Sequence, residues 1–225
     1  MLSLASAQIL LPIPARSLCN TGLTPKSLTI EGCNTSTPVT PINPVDGGPI
    51  VDGNWDIAVP YPSVPYNQLP PDPCLFASIY LPAPVSAPWS AWYNPDDQLS
   101  QWIEPLGGGS TPPGWYIYRT HFAIPLASQG YDRYMLEIPG QLMVDNFMTS
   151  IYVQAFKDGA SFCAPVATFT NTGGFQNWIP FKVSAPVAPN SLAHLYVVVY
   201  NNSGNATGNP TGLRIEFMNP YFIPF

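Results

Sequence analysis

Met148-Thr-Ser-Ile-Tyr-Val-Gln-Ala-Phe-Lys-Asp-Gly-Ala160 decides the fold class. Met148, Ser150, Tyr152 and Gln154 alternate with Thr149, Ile151, Val153 and Ala155, so two sets of side chains fall on opposite faces of an extended chain. Lys157-Asp-Gly-Ala160 then supplies the Asp-Gly pair that closes a hairpin. A strand and a tight reversal are predicted here, with a second strand at 162–169.

The same pattern extends on both sides. Trp115–Ile124, Arg133–Ile138, Trp178–Val183, Leu192–Asn201 and Gly212–Phe217 read as strands rich in aromatic and β-branched residues, with turn residues between them. Phe76–Leu81 reads as an earlier one. No segment has a helical period, and 29 prolines among 225 residues argue against helix interiors. Strands at this spacing predict an all-β jelly-roll sandwich over residues 51–225.

Residues 1–50 read differently. Pro12, Pro14, Pro25, Pro38, Pro41, Pro44 and Pro49 are spread through Ser, Thr and Asn, and only Ser27–Glu31 looks like a short strand. The segment is expected to be an extended proline-rich arm that lies on its own domain or on neighbouring subunits. Leu10, Leu11 and Ile13 in the arm, with Tyr221, Phe222 and Phe225 at the other end of the chain, are the apolar side chains expected to make assembly contacts.

Charge excludes several functions. Thirteen acidic and seven basic residues give a net charge of −6, and charged residues are only 9% of the chain. The first 118 residues carry only Arg16 and Lys26 as bases. No basic patch exists to neutralise phosphates, so nucleic acid and anionic membrane surfaces are not expected partners. No apolar run is long enough for a membrane-spanning helix. A surface this poor in charge resists association weakly and suits a packed subunit.

Catalytic and cofactor signals are thin. Gly-x-Ser-x-Gly is absent, and Gly107-Gly-Gly109 lacks the Lys-Ser/Thr of a phosphate loop, so neither an enzyme nor a bound cofactor is expected. The two histidines, His121 and His194, stand far apart in sequence and read as structural or surface residues. Asp96, Asp97 and Glu104 read as turn or surface carboxylates rather than a glycosidase pair. Asp52-Gly-Asn-Trp-Asp56 sets three oxygen-bearing side chains at alternate positions, a pattern suited to calcium, but lacks the rest of an EF-hand loop. A plain turn, with no metal, is expected there. Cys19, Cys33, Cys74 and Cys163 contain no Cys-x-x-Cys, and their low density predicts free, partly buried thiols, with Cys19–Cys33 the best pair if a bridge forms. Trp89, Trp92 and Trp102 can serve as core packing, as a protein interface or as a sugar-stacking platform.

Several stretches together resemble the galactose-binding-like jelly-roll domain of bacterial extracellular proteins of the PEP-CTERM type. They are Asp52-Gly-Asn-Trp55, Trp92-Tyr-Asn-Pro with Trp102-Ile103, Trp115-Tyr-Ile-Tyr-Arg-Thr-His-Phe122, Asp145-Asn146 before Ile151–Gly159, Phe175–Phe181, Asn190–Asn201, and Asn209-Pro-Thr-Gly-Leu-Arg-Ile-Glu216. The resemblance spans about residues 51–222 and implies the fold. Gly212 is expected to give backbone freedom before the last strand, and Arg214 to pair with Asp145 or Glu216. The added arm is like those of phage capsid decoration or cement proteins. Met1–Ala7 has no basic n-region and no long apolar stretch, so Met1 is expected to be retained. The resulting expectation is a non-enzymatic structural protein located in a virion, bound to capsid or other virion subunits and to copies of itself, with a trimer the natural arrangement. The alternative is a carbohydrate-binding module at the cell surface or outside the cell, with a glycan as ligand.

Overall fold

The computed structural model describes residues 13–15, 18–21, 51–61, 71–75, 79–86, 90, 92, 99–105, 111–127, 131–157, 160–172, 174–202 and 209–225. All elements among them are strands: β1 (Ile13–Pro14), β2 (Val51–Tyr61), β3 (Tyr80–Ser86), β4 (Trp102–Ile103), β5 (Gly114–Ala123), β6 (Tyr134–Asp145), β7 (Phe147–Lys157), β8 (Ala160–Thr172), β9 (Ile179–Val187), β10 (Leu192–Asn201), β11 (Gly212–Phe217) and β12 (Tyr221–Pro224). No helix among the described residues is long and apolar enough to cross a membrane.

The strands form one continuous antiparallel sheet folded into two layers. The path runs β1-β12-β6-β11-β4-β3-β2-β5-β10-β7-β8, with β9 on the free side of β6. β3 is the corner: Val85 and Ser86 pair with β4 in the first layer, while Tyr80–Pro82 pair with β2 in the second. The result is the jelly-roll type of β-sandwich expected from the alternation.

Burial follows the period of two. In β9, Phe181, Val183, Ala185 and Val187 are buried, and Pro180, Lys182, Ser184 and Pro186 face water. The inner faces meet in one core containing Trp55, Tyr116, Tyr118, Leu136, Ile138, Val153, Val183, Leu195 and Ile215. At roughly 25 cal/mol per Å² of apolar area removed from water, this core is the main source of stability. Among the described residues β9 pairs with β6 alone, which explains how a strand can carry Pro180 and Pro186. Asn190 (φ 52°) and Asn219 (φ 54°) take the left-handed conformation at the turns before β10 and β12, where Asn is better tolerated than other side chains.

The described part of the proposed arm is built into this sandwich. Ile13 and Pro14 pair with Phe222 and Tyr221. Thr21 N donates to Ile215 O at 3.2 Å, and Thr21 O accepts from Gln101 N at 2.9 Å. Asn20 Oδ1 accepts from Phe217 N at 2.8 Å, and Cys19 O from Trp55 Nε1 at 3.0 Å. Ala15, Leu18, Cys19 and Thr21 are buried. Ser27–Glu31 lies outside the described residues.

The expectation of free thiols is overturned. Cys74 and Cys163 form a disulfide across 89 residues of sequence, with Cα atoms 5.9 Å apart, and Cys19 is also disulfide-bonded. Cys33, its expected partner, lies outside the described residues. Low cysteine density misled because the bond depends on the loop at 71–75 meeting β8, a contact that spacing does not encode.

Candidate functional site

Three regions carry the side chains able to recognise another molecule. The first is the outer face of the first layer. Register sets Arg214 beside Met143, Glu216 beside Gln141 and Gly212 beside Asp145 on β11 and β6. Over them Trp92 and Trp102 pack with ring centroids 4.2 Å apart, bordered by Phe175 and Trp178. Gly212 is needed for space: a Cβ there would stand 2.6 Å from Trp92 Cη2 and 3.2 Å from Trp102 Cε3. Close approach, rather than the turn freedom expected from sequence, is therefore its role.

Polar groups on this face satisfy one another. Trp92 Nε1 donates to Asp145 Oδ2 at 2.7 Å. Burial raises the Asp145 carboxyl to about 6, against the opposing pull of its hydrogen bonds from Trp92 and Asn146. Arg214 Nε donates to Ser100 Oγ at 2.7 Å, and Ser100 Oγ donates to Glu216 Oε1 at 2.7 Å. Gln141 Nε2 donates to Glu216 Oε2 at 2.9 Å. Arg214 lies 3.8 Å from Glu216 and 5.4 Å from the Trp178 ring centre. Of the two carboxylates expected for Arg214, Glu216 is thus its partner, and Asp145 is held by Trp92. Trp92 and Trp102 are 5% and 0% exposed, so they pack rather than present an open platform. Trp89, Asp96 and Asp97 lie outside the described residues. Glu104 is buried and accepts from Ser86 Oγ at 2.5 Å.

The second region is the outer face of the second layer, which sequence reasoning did not single out. One row across the strands reads Asp56, Arg119, Tyr196, Tyr152, and the next reads His121, His194, Gln154, Cys163. Arg119 Nη2 meets Asp56 Oδ2 at 2.6 Å, and its guanidinium lies 3.8 Å over the centre of the Tyr80 ring. Tyr196 Oη donates to Gln154 Oε1 at 2.6 Å and lies 3.0 Å from His194 Nδ1. Phe156 sets its ring edge-on to His194 at 4.9 Å. His121 is exposed, while Tyr80, Tyr152, Arg119 and His194 are half-buried. The only signal for this face in the sequence is alternation, which says that these residues share a face but not that the strands are neighbours.

Metal-ligand patterns resolve in two places. Asp52, Asn54 and Asp56 do not act together: Asp52 is buried and accepts from Asn54 N at 2.8 Å, whereas Asp56 is paired with Arg119. Asp72, Cys74 and Cys163 come within 4.8 Å of one another, but the two sulfurs are bonded together.

The third region is one end of the sandwich. Leu126, Leu192 and Phe225 are 70%, 45% and 51% exposed there. They are tied to the same end by Ile124 N donating to Ser191 O at 2.9 Å and by Phe225 N donating to Arg133 O at 3.2 Å. Tyr134 Oη adds a bond of 2.7 Å to Leu126 O. Of the expected assembly contacts, Phe225 is exposed. Phe222 is 1% exposed and belongs to the core; Ile13 and Tyr221 are half-buried. Leu10 and Leu11 lie outside the described residues.

No family model matches this chain, and no curated protein matches it. Among solved structures it is similar to TmCBM61 in complex with β-1,4-galactotriose, at 10% identity and a TM-score of 0.30 over 56% of this chain and 68% of the other. It is also similar to a structure of infectious bursal disease virus, Gt strain, at 13% identity and a TM-score of 0.25 over 76% of this chain and 53% of the other.

Proposed function

We propose that this chain is a non-enzymatic assembly subunit, a disulfide-clamped β-sandwich that docks protein neighbours on a virion or comparable extracellular assembly. The observation that carries this reading is the exposed end formed around Leu126, Leu192 and Phe225. Large apolar groups exposed at one end of a molecule are unfavourable in water, and a protein partner that covers them gains about 1.5–3 kcal/mol per fully buried side chain. Disulfides fit an oxidising location, which includes the outside of cells and virions. Each carboxylate described above is engaged with a neighbouring donor or cation, which supports a scaffold rather than a catalyst. The test is sedimentation velocity of the wild-type chain and Leu126→Ser/Leu192→Ser, alone and with the assembly it is purified from. The double variant should stay folded and bind at least about tenfold more weakly. Unchanged association would remove the reading.

A second reading, a glycan-binding module, is favoured by the Asp56–Arg119 pair and the tyrosines of the second layer's outer face. Sugars use polar side chains for their hydroxyls and aromatic faces for their C–H surfaces. A glycan panel read by tryptophan fluorescence tests it, since Trp115 and Tyr152 belong to one aromatic cluster on this face. A flat response across the panel would exclude it.

A further inference from the structure

We propose that His121 on β5 and His194 on β10 form a two-imidazole site for a divalent transition-metal ion, copper(II) above all. The chain has only these two histidines, 73 positions apart in sequence, and the fold sets them directly opposite each other in an antiparallel pair. Residues in that relation share a face, with Cβ atoms about 4.5–5.5 Å apart. That spacing lets two imidazoles reach one ion at metal–nitrogen distances of about 2.0–2.1 Å.

Hydrogen bonding fixes one of the two rings. Tyr196 Oη has a single proton and spends it on Gln154 Oε1, 2.6 Å away. His194 Nδ1, 3.0 Å from the same oxygen, must therefore be the donor in that contact. This places the His194 proton on Nδ1 and leaves Nε2 with its lone pair, the arrangement that oriented metal-binding histidines adopt. Arg119 is the cation nearest in register, and Asp56 balances it at 2.6 Å.

Ligand type selects the ion. Imidazole nitrogen suits copper, nickel and zinc, with copper(II) bound most strongly, whereas calcium and magnesium require oxygen ligands. Among the described residues, the only cluster of three or more possible ligand groups is the one at Asp72, Cys74 and Cys163, so the protein supplies two nitrogens here and water fills the other positions.

Copper(II) chloride titrated into the full oxidised chain, followed by calorimetry and electron paramagnetic resonance, tests the site. The expected result is one ion per chain with hyperfine structure from two imidazole nitrogens. His121→Asn, at an exposed position, should melt like wild type, bind at least tenfold more weakly and show one nitrogen. Tyr196→Phe should weaken binding by about tenfold or more, because it frees the His194 tautomer. Wild-type spectra without imidazole nitrogen, or affinity and nitrogen count unchanged in His121→Asn, would overturn the proposal. His194→Gln should likewise show one nitrogen, and if it fails to fold, His121→Asn decides alone.

Discussion

Gly212, Asp145 and His194 each show a residue whose role depends on a distant neighbour. Gly212→Ala drives a methyl group into Trp92, and overpacking of this kind costs about 1–3 kcal/mol. Thermal or urea unfolding should show that loss. Asp145 and His194 give stability opposite dependences on pH. Burial raises Asp145 from 3.8 to about 6, so between those values the folded chain holds a proton that the unfolded chain lacks, and stability from this group rises as pH falls. His194 is lowered from 6.5 to about 4, so there the unfolded chain holds the extra proton and stability falls as pH falls. The two slopes offset each other in the wild type. Asp145→Asn should therefore make the melting temperature fall more steeply between pH 7 and 4, and His194→Gln should make it fall less. Each shifted pKa unit is worth about 1.4 kcal/mol, and solvent screening of these partly buried groups lowers the full figure, so changes on the order of 2 kcal/mol are expected. Matching profiles in all three proteins would contradict this account.

Among the elements, β5, β7, β10 and β11 were legible from sequence because their alternation is unbroken over several residues and their sheet positions leave both strand edges paired. Of the expected strand Phe76–Leu81, Tyr80 and Leu81 open β3, which runs on to Ser86, and residues 76–78 lie outside the described residues. Pro82 and Pro84 made that stretch look broken, but at the corner between layers β3 can do without every ladder donor. β1 and β12 were read as anchors rather than strands because two- and four-residue segments containing proline carry no periodic signal. The contacts that build the candidate sites were less legible still. Trp92 with Asp145, Cys74 with Cys163 and His121 with His194 are each brought together by contacts between distant segments, loop against strand or strand against strand, and local patterning does not report such contacts. The Cys74–Cys163 bond fastens the 71–75 loop to β8. Its removal in Cys74→Ala/Cys163→Ala should lower stability by about 2–4 kcal/mol, in line with bonds that close long loops. Chemical denaturation of the oxidised double variant checks this, and unchanged stability would show that the loop is held by packing alone.

Across the molecule, the sandwich is closed by its own N-terminal segment. Residues 18–21 hydrogen-bond to Gln101, Ile215, Phe217 and Trp55, which joins β2, β11 and the segment before β4. Removing residues 1–21 should therefore destabilise the sandwich by several kcal/mol, given about 0.5–1.5 kcal/mol per hydrogen bond and further loss from the buried Ala15 and Leu18. Removing residues 1–12 leaves these contacts in place, so the comparison separates a folding role from an assembly role. In the assembled state, the apolar end around Leu126, Leu192 and Phe225 is expected to be covered. The most direct test of that central claim is density-gradient sedimentation of native source material, following this chain by quantitative mass spectrometry. Co-banding with large particles at a fixed ratio to another protein is the expected result. Recovery only in the slowly sedimenting fractions, free of any such partner, would contradict it.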